Sequence, residues 1–293
     1  MTAPTRDAAP PAAGTPGLPP DESGGSAAPP PDRPRRRGVW IALAAVTAFV
    51  VVAPSCLQMW GRAIRQSSEG SKVYRQPISE IRVNSGAATL ALGPGRDGQV
   101  TVRRQLRWSL DRPHVQVAVA GEVMTVDFSC EGRSQLFSSL DCEGDLDLRV
   151  PAGVRLRISS GSGEVGVGGL SGDLDLRTGS GAANLTGLSG PVHFSAGSGE
   201  VKGTRLATPE LTGRIHSGRM DLGFAAPPRR VTATSGSGEV RIGVPRGSYY
   251  RVLARSSAGG SHVNGALVDQ DAPAMISVQS GSGSTWVDYT GAG

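Results

Sequence analysis

From residue 154 to the C-terminus, apolar and polar residues alternate over short runs, and Ser-Gly corners break the runs at near-constant intervals. The unit recurs as LRISSGSGEVGV, LDLRTGSGAANL, VHFSAGSGEVKG, LTGRIHSGRMDL and VTATSGSGEVRI, and it closes with ISVQSGSGSTWV. The second corner glycine falls at Gly163, Gly181, Gly199, Gly218 and Gly238, in steps of 18, 18, 19 and 20 residues. Gly283 follows 45 residues later, which predicts two longer turns, the first a degenerate one near SSAGGSHVNG. A period near 20 with two short alternating strands per unit is the signature of stacked repeats.

Aligning the units on the corner places Val165, Ala183, Val201, Met220 and Val240 in one column. Leu156, Leu174, Val192, Leu211 and Val231 share another on the preceding strand. Period-two alternation turns these columns inward, so stacking joins them into a continuous aliphatic core. Successive strands would pair in parallel about 4.8 Å apart. The corners are glycine because tight bends need positive φ or a close backbone approach. Outward positions carry order too. Glu200, Arg219 and Glu239 form one ladder and Lys202, Asp221 and Arg241 a second, with opposite charges alternating in each. The expected fold is all-β: a parallel β-solenoid with turns of about 18–23 residues. Residues 72–150 read as its irregular start. ISEIRVNSGAATLAL resembles one turn, and VQVAVAGEVMTVDFSC reads as two strands around a Gly turn.

The N-terminal pattern is different. Residues 1–38 hold ten prolines and almost no aliphatic side chains, the composition of a disordered tail. Arg33, Arg35, Arg36 and Arg37 precede an uncharged run from Val39 to Trp60. At 1.5 Å per residue that run is about 33 Å long as a helix, enough for a bilayer core of about 30 Å. The arginines predict a cytoplasmic N-terminus and an extracytoplasmic C-terminal part. The expectation is an uncleaved signal anchor over 39–60, with a lipoprotein signal ending at Cys56 and a cleaved secretory peptide as alternatives. Residues 61–74 read as a linker and 75–290 as the exported body. Cys130 and Cys142 bracket CEGRSQLFSSLDC and outside the cytoplasm could pair; a two-cysteine metal site is the alternative.

Composition changes the picture in three places. Only 4% of residues are aromatic, which suits a thin core of Val, Leu, Ile and Ala. The net charge is +5, with both signs interspersed and no basic stripe along the sequence of the kind that tracks nucleic acid. Catalytic motifs are missing. Gly161-Ser162-Gly163-Glu164-Val165-Gly166 matches GxGxxG but lies at a corner between strands, not between strand and helix. GGLSGDLDL has Ser171 in place of a calcium-binding nonapeptide's second-half glycine, and its acids are shifted. His114, His193, His216 and His262 form no column. Glu164 and Glu200, two turns apart, would lie about 10 Å from each other, at the far edge of an inverting glycosidase pair.

The cysteine pair, then DLDLRVPAGVRLRISSGSGEVGVGGLSGDLDL, the recurrent SGSGEV units and VPRGSYYRVLARSSAGG resemble the bacterial putative-adhesin family of β-strand repeats, domain of unknown function number 4097, over roughly residues 75–290. The resemblance implies a right-handed β-solenoid on the cell envelope. It implies no catalytic, metal or cofactor-binding residue. The leading functional expectation is a non-enzymatic surface module, anchored by a single membrane pass, that contacts an envelope protein or cell-wall polymer and no nucleic acid. An envelope-stress regulator signalling through the span is the alternative, and a polysaccharide lyase or hydrolase stands third.

Overall fold

The structure, a computed structural model, describes residues 41–49, 66–108, 112–130 and 142–291. It divides into two units, Met1–Pro54 and Ser55–Gly293. In the first, residues 41–49 form a helix whose residues are all exposed. Among the described residues no helix is long and apolar enough to cross a membrane, so the expected transmembrane helix over 39–60 is not supported by them. The remainder of that run, Cys56 and the proline-rich tail lie outside the described residues.

Among the described residues the second unit is all-β, with eighteen strands in a single sheet. The first seven are β1 (Gln66–Tyr74), β2 (Glu80–Gly86), β3 (Thr89–Pro94), β4 (Val100–Trp108), β5 (His114–Ala120), β6 (Val123–Ser129) and β7 (Cys142–Val150). Four short strands follow: β8 (Arg155–Ser160), β9 (Val165–Gly168), β10 (Leu174–Thr178) and β11 (Ala183–Thr186). Three long strands, β12 (Val192–Leu206), β13 (Glu210–Phe224) and β14 (Arg230–Val244), run straight through their corners. The chain ends with β15 (Arg251–Ala258), β16 (Ser261–Val263), β17 (Met275–Ser282) and β18 (Thr285–Tyr289).

Pairing sets these strands in two columns joined at the corners. In the first column β5, β6, β2, β8, β10, β12, β13, β14, β17 and β15 are successive neighbours. In the second the order is β1, β4, β7, β3, β9, β11, β12, β13, β14, β18 and β16. Most pairs are parallel, but β1–β4, β4–β7 and β5–β6 are antiparallel. The sheet is therefore mixed, and the expected all-parallel solenoid is wrong. For β5–β6 the cause is loop length. A two-residue turn with Gly121 at φ 61° connects β5 to β6, and so short a link allows only an antiparallel hairpin, whereas parallel neighbours need a crossover of a dozen residues or more.

A second correction concerns order. The degenerate coil of β15 and β16 does not lie between β14 and the last coil. β17 and β18 insert there instead, and β15 and β16 become outermost. Ile276 and Val278 of β17 are fully buried between neighbours on both sides, while Val252 and Ala254 of β15 are half-buried. The larger aliphatic side chains take the doubly covered place, where burial contributes most.

The core is aliphatic and continuous from Ile81 and Leu90 through Leu176 and Leu185 to Met220, Val240 and Val278. Large and small side chains interlock within a column: the Phe194 ring fills the space a Cβ at Gly213 would need. The corners are tighter still. A Cβ at Gly181, Gly199, Gly218, Gly238 or Gly283 would run into the carbonyl of the corner glycine in the neighbouring coil, and one at Gly163 into that of Ala88. Gly199, Gly218, Gly238 and Gly283 also hold φ between 122° and 131°. Close backbone approach thus explains all six positions, and positive φ adds to it at four.

Candidate binding face

The strands that make the core columns also fix what stands outside them. Residues at odd steps from the buried positions point to solvent, and the pairing register lines them up across the sheet. One such row on the first column reads Asn84, Ser159, Arg177, Ser195, Arg214, Thr234, Gln279 and Arg255. It crosses seven strand pairings without an acid, and beyond Asn84 it continues on β6 to Asp127. The adjacent row begins with Arg82, Arg157 and Asp175.

Two adjoining depressions follow these rows. The first, of about 550 Å³, is lined by Arg82, Arg157 and Arg177 with Asn84, Asp127 and Asp175. The second, of about 520 Å³, is lined by Arg177 and Arg214 with Ser159, Ser160, Thr178 and Ser195. They share Ser159 and Arg177 and so make one trough over β6, β2, β8, β10, β12 and β13. Next to the second runs a line that includes Gly179, Gly197, Gly236 and Gly281 and is interrupted by the exposed His216 between Gly197 and Gly236.

The electrostatics are uneven along the trough. Glu80 receives Arg82 Nε at 2.7 Å and Arg157 Nη1 at 3.0 Å, one carboxylate shared by two guanidinium groups. The hydrogen bond from Arg82, opposed by partial burial and helped by the charge of Arg157, holds the Glu80 carboxyl below the usual glutamate range. Arg177 Nε stands 3.7 Å from Asp175, with its side chain 75% exposed. Arg214 and Arg255 form no ion pair among the described residues. Positive charge is thus largely compensated near β2 and β8 and uncompensated towards β13 and β15.

The other depression of similar size, about 580 Å³ on the second column, is more balanced, with Glu69, Asp145 and Asp147 against Arg103 and Arg104. The two charge ladders stand on that same column. Glu200, Arg219 and Glu239 are in register, as are Lys202, Asp221 and Arg241. Ion pairs converge on Glu239, which meets Arg219 at 3.3 Å and Arg241 at 2.7 Å. Cys130 and Cys142 are disulfide-bonded, with an S–S distance of 2.03 Å, and tie the end of β6 to the start of β7. The corner glycines sit between the two columns and present backbone, not chemistry. None of the sequence-selected residues falls in the trough. Its arginines lie up to 132 residues apart (82 to 214), and only the strand register brings them together.

Among the described residues no three His, Cys, Asp or Glu side chains are placed to hold a metal ion. His193 and His216 flank the arginine row, and His262 stacks against Trp286 with ring centroids 4.8 Å apart. The arrangement can make charge-assisted and neutral hydrogen bonds over a long, shallow surface.

No protein-family model matches the chain, and no curated protein matches it. Solved structures do align with it. A putative cell adhesion protein from Clostridium sporogenes aligns over 77% of this chain and 100% of its own, at 12% identity and a TM-score of 0.35. A putative adhesin from Bacteroides fragilis aligns over 75% and 97%, at 13% identity and a TM-score of 0.42. A putative lipid binding protein from Parabacteroides distasonis aligns over 75% and 96%, at 9% identity and a TM-score of 0.26. These scores are too low to support any argument about this chain's ligand or activity.

Proposed function

We propose that the chain is a non-enzymatic, adhesion-like surface module that works outside the reducing cytoplasm and binds an envelope component along the arginine trough. The observation that carries this reading is the trough itself. Arg82, Arg157, Arg177 and Arg214 share one outward face, on strands whose inward faces are locked in a continuous core. A rigid scaffold spends little conformational entropy on binding, so many weak polar contacts can add up. The Cys130–Cys142 disulfide supports the compartment, since such bonds persist where the surroundings oxidise.

The test is cosedimentation of the full-length protein with purified cell envelopes. The protein is expected in the envelope pellet, and R177Q/R214Q is expected to shift it to the supernatant. Equal recovery of both proteins in the pellet would remove the trough from the reading. Absence of both from the pellet would end the reading.

A further inference from the structure

We infer that the ligand of this face is a linear anionic glycan lying across the strands, with its acidic groups meeting Arg177, Arg214 and Arg255. The inference rests on the adhesion-like reading and names the class of ligand. Three observations support it.

The first is direction. Arg177 and Arg214 are two strand spacings apart, and Arg214 and Arg255 three. At about 4.8 Å per spacing the three guanidinium groups span about 24 Å along a straight line. A compact anion could reach one of them, whereas an extended chain with repeated charge reaches all three.

The second is sign. The row from Asn84 to Arg255 holds three arginines and no carboxylate. Of the acids beside it, Glu80 is engaged with Arg82 and Arg157 and Asp175 with Arg177, while the exposed Asp127, the register partner of Asn84, stands at the end of the row farthest from Arg214 and Arg255. A guanidinium presents paired donors that fit carboxylate and phosphate oxygens two at a time.

The third is what separates the charges. Ser195, Thr234 and Gln279 offer hydroxyl and amide groups, which pair with sugar hydroxyls. On either side of His216, the glycines next to them let a chain come close to the backbone. No aromatic side chain stands in the row, so the stacking platforms that single-stranded nucleic acid uses are missing from it.

The anionic group could be a sugar carboxylate or a phosphodiester between polyols, and the experiment separates them. Full-length protein is titrated with polygalacturonate oligomers of increasing length, with poly(glycerol phosphate), with neutral dextran and with single-stranded DNA. We expect affinity for one of the two anionic polymers to rise with length and then level off once the row is spanned. It should fall steeply between about 50 and 200 mM salt, as ion-pair binding does. R177Q/R214Q/R255Q is expected to weaken it roughly ten-fold or more. The control R103Q/R219Q/R241Q removes equal charge from the second column and should stay within about two-fold. Thermal melts of both variants establish that they are folded. Equal loss in the control, tighter binding of DNA, or binding of dextran overturns the inference. If envelopes still cosediment with the protein while both anionic polymers fail to bind, the ligand class falls and the adhesion-like reading stands.

Discussion

Between β8 and β14 the chain stacks its coils in the order in which they occur, while at both ends chain order and spatial order part. At the N-terminal end β6 and β7 lie outside β2 and β3, and antiparallel β5, β4 and β1 finish the edge. At the C-terminal end the last coil slides inside the one before it. The difference teaches that a coil's place depends on what it can bury. Interior coils carry fully buried pairs such as Leu174 and Leu176, whereas the edge strands β5 and β15 bury their inward residues only in part. An edge strand presents unpaired backbone groups, and partly polar strands in that position discourage pairing with other chains.

The sharpest way to break this comparison is at an interior corner. Gly218 holds φ 122°, and a Cβ there would run into the Gly199 carbonyl. Neither group can move without shifting a whole coil. Gly218→Ala should therefore cost about 3 kcal/mol or more, or prevent folding, in urea melts. Gly223→Ala on the same strand is the control. Its Cβ would stand 3.6 Å from the Gly203 carbonyl, an ordinary contact, and its effect should stay within about 0.5 kcal/mol. A Gly218→Ala protein that melts like the parent would remove close backbone approach as the reason for the glycines.

The next effect separates an inserted coil from the edge that covers it. Ile276 and Val252 are register partners, the first fully buried and the second half-buried. Ile276→Ala should cost about 3 kcal/mol through lost burial and a residual cavity. Val252→Ala should cost about 1 kcal/mol, because the edge can relax and its side chain is already partly wet. Equal losses would mean that the outermost coil is packed as tightly as the inserted one.

The disulfide tests the N-terminal end in the same way. It closes a 12-residue separation, so replacing both cysteines with serine should cost about 2–3 kcal/mol on the chain-entropy account. Amide exchange should quicken in β6 and β7 and leave β12 and β13 unchanged. Uniform quickening throughout would show that the two regions open together and that the ends are not separate in stability.

How much of this could be read from the chain follows the same division. In the middle, period-two alternation within an 18–20-residue repeat leaves one register, and Val165, Ala183, Val201, Met220 and Val240 are indeed successive backbone partners. Extending the repeat rule outwards failed. The two strands around the Gly121 turn were legible in VQVAVAGEVMTVDFSC, but the antiparallel β1–β4 and β4–β7 pairs join strands distant in the chain, and a coil's rank in burial, which decides the order at the C-terminal end, has no marker in spacing. The arginine trough was invisible for a different reason. Charges of both signs alternate along the sequence, and only pairing of distant strands brings Arg177, Arg214 and Arg255 into one row.

The smallest effect concerns the charge ladder, where interior register can be probed without touching the core. Arg219 stands between Glu200 and Glu239 in register and meets Glu239 at 3.3 Å with its side chain 55% exposed. Exposed pairs of this kind contribute about 0.2–1 kcal/mol. Arg219→Glu would set three carboxylates in line, and a loss of about 1 kcal/mol is expected at low salt. At about 1 M salt, where the screening length falls to about 3 Å, most of that loss should vanish. Salt sensitivity is the decisive reading, because Arg219→Glu also removes the arginine's aliphatic stem. A loss that persists in high salt would belong to that stem, and the alternation of charge would then be an accident of the repeat rather than part of what holds the coils in register.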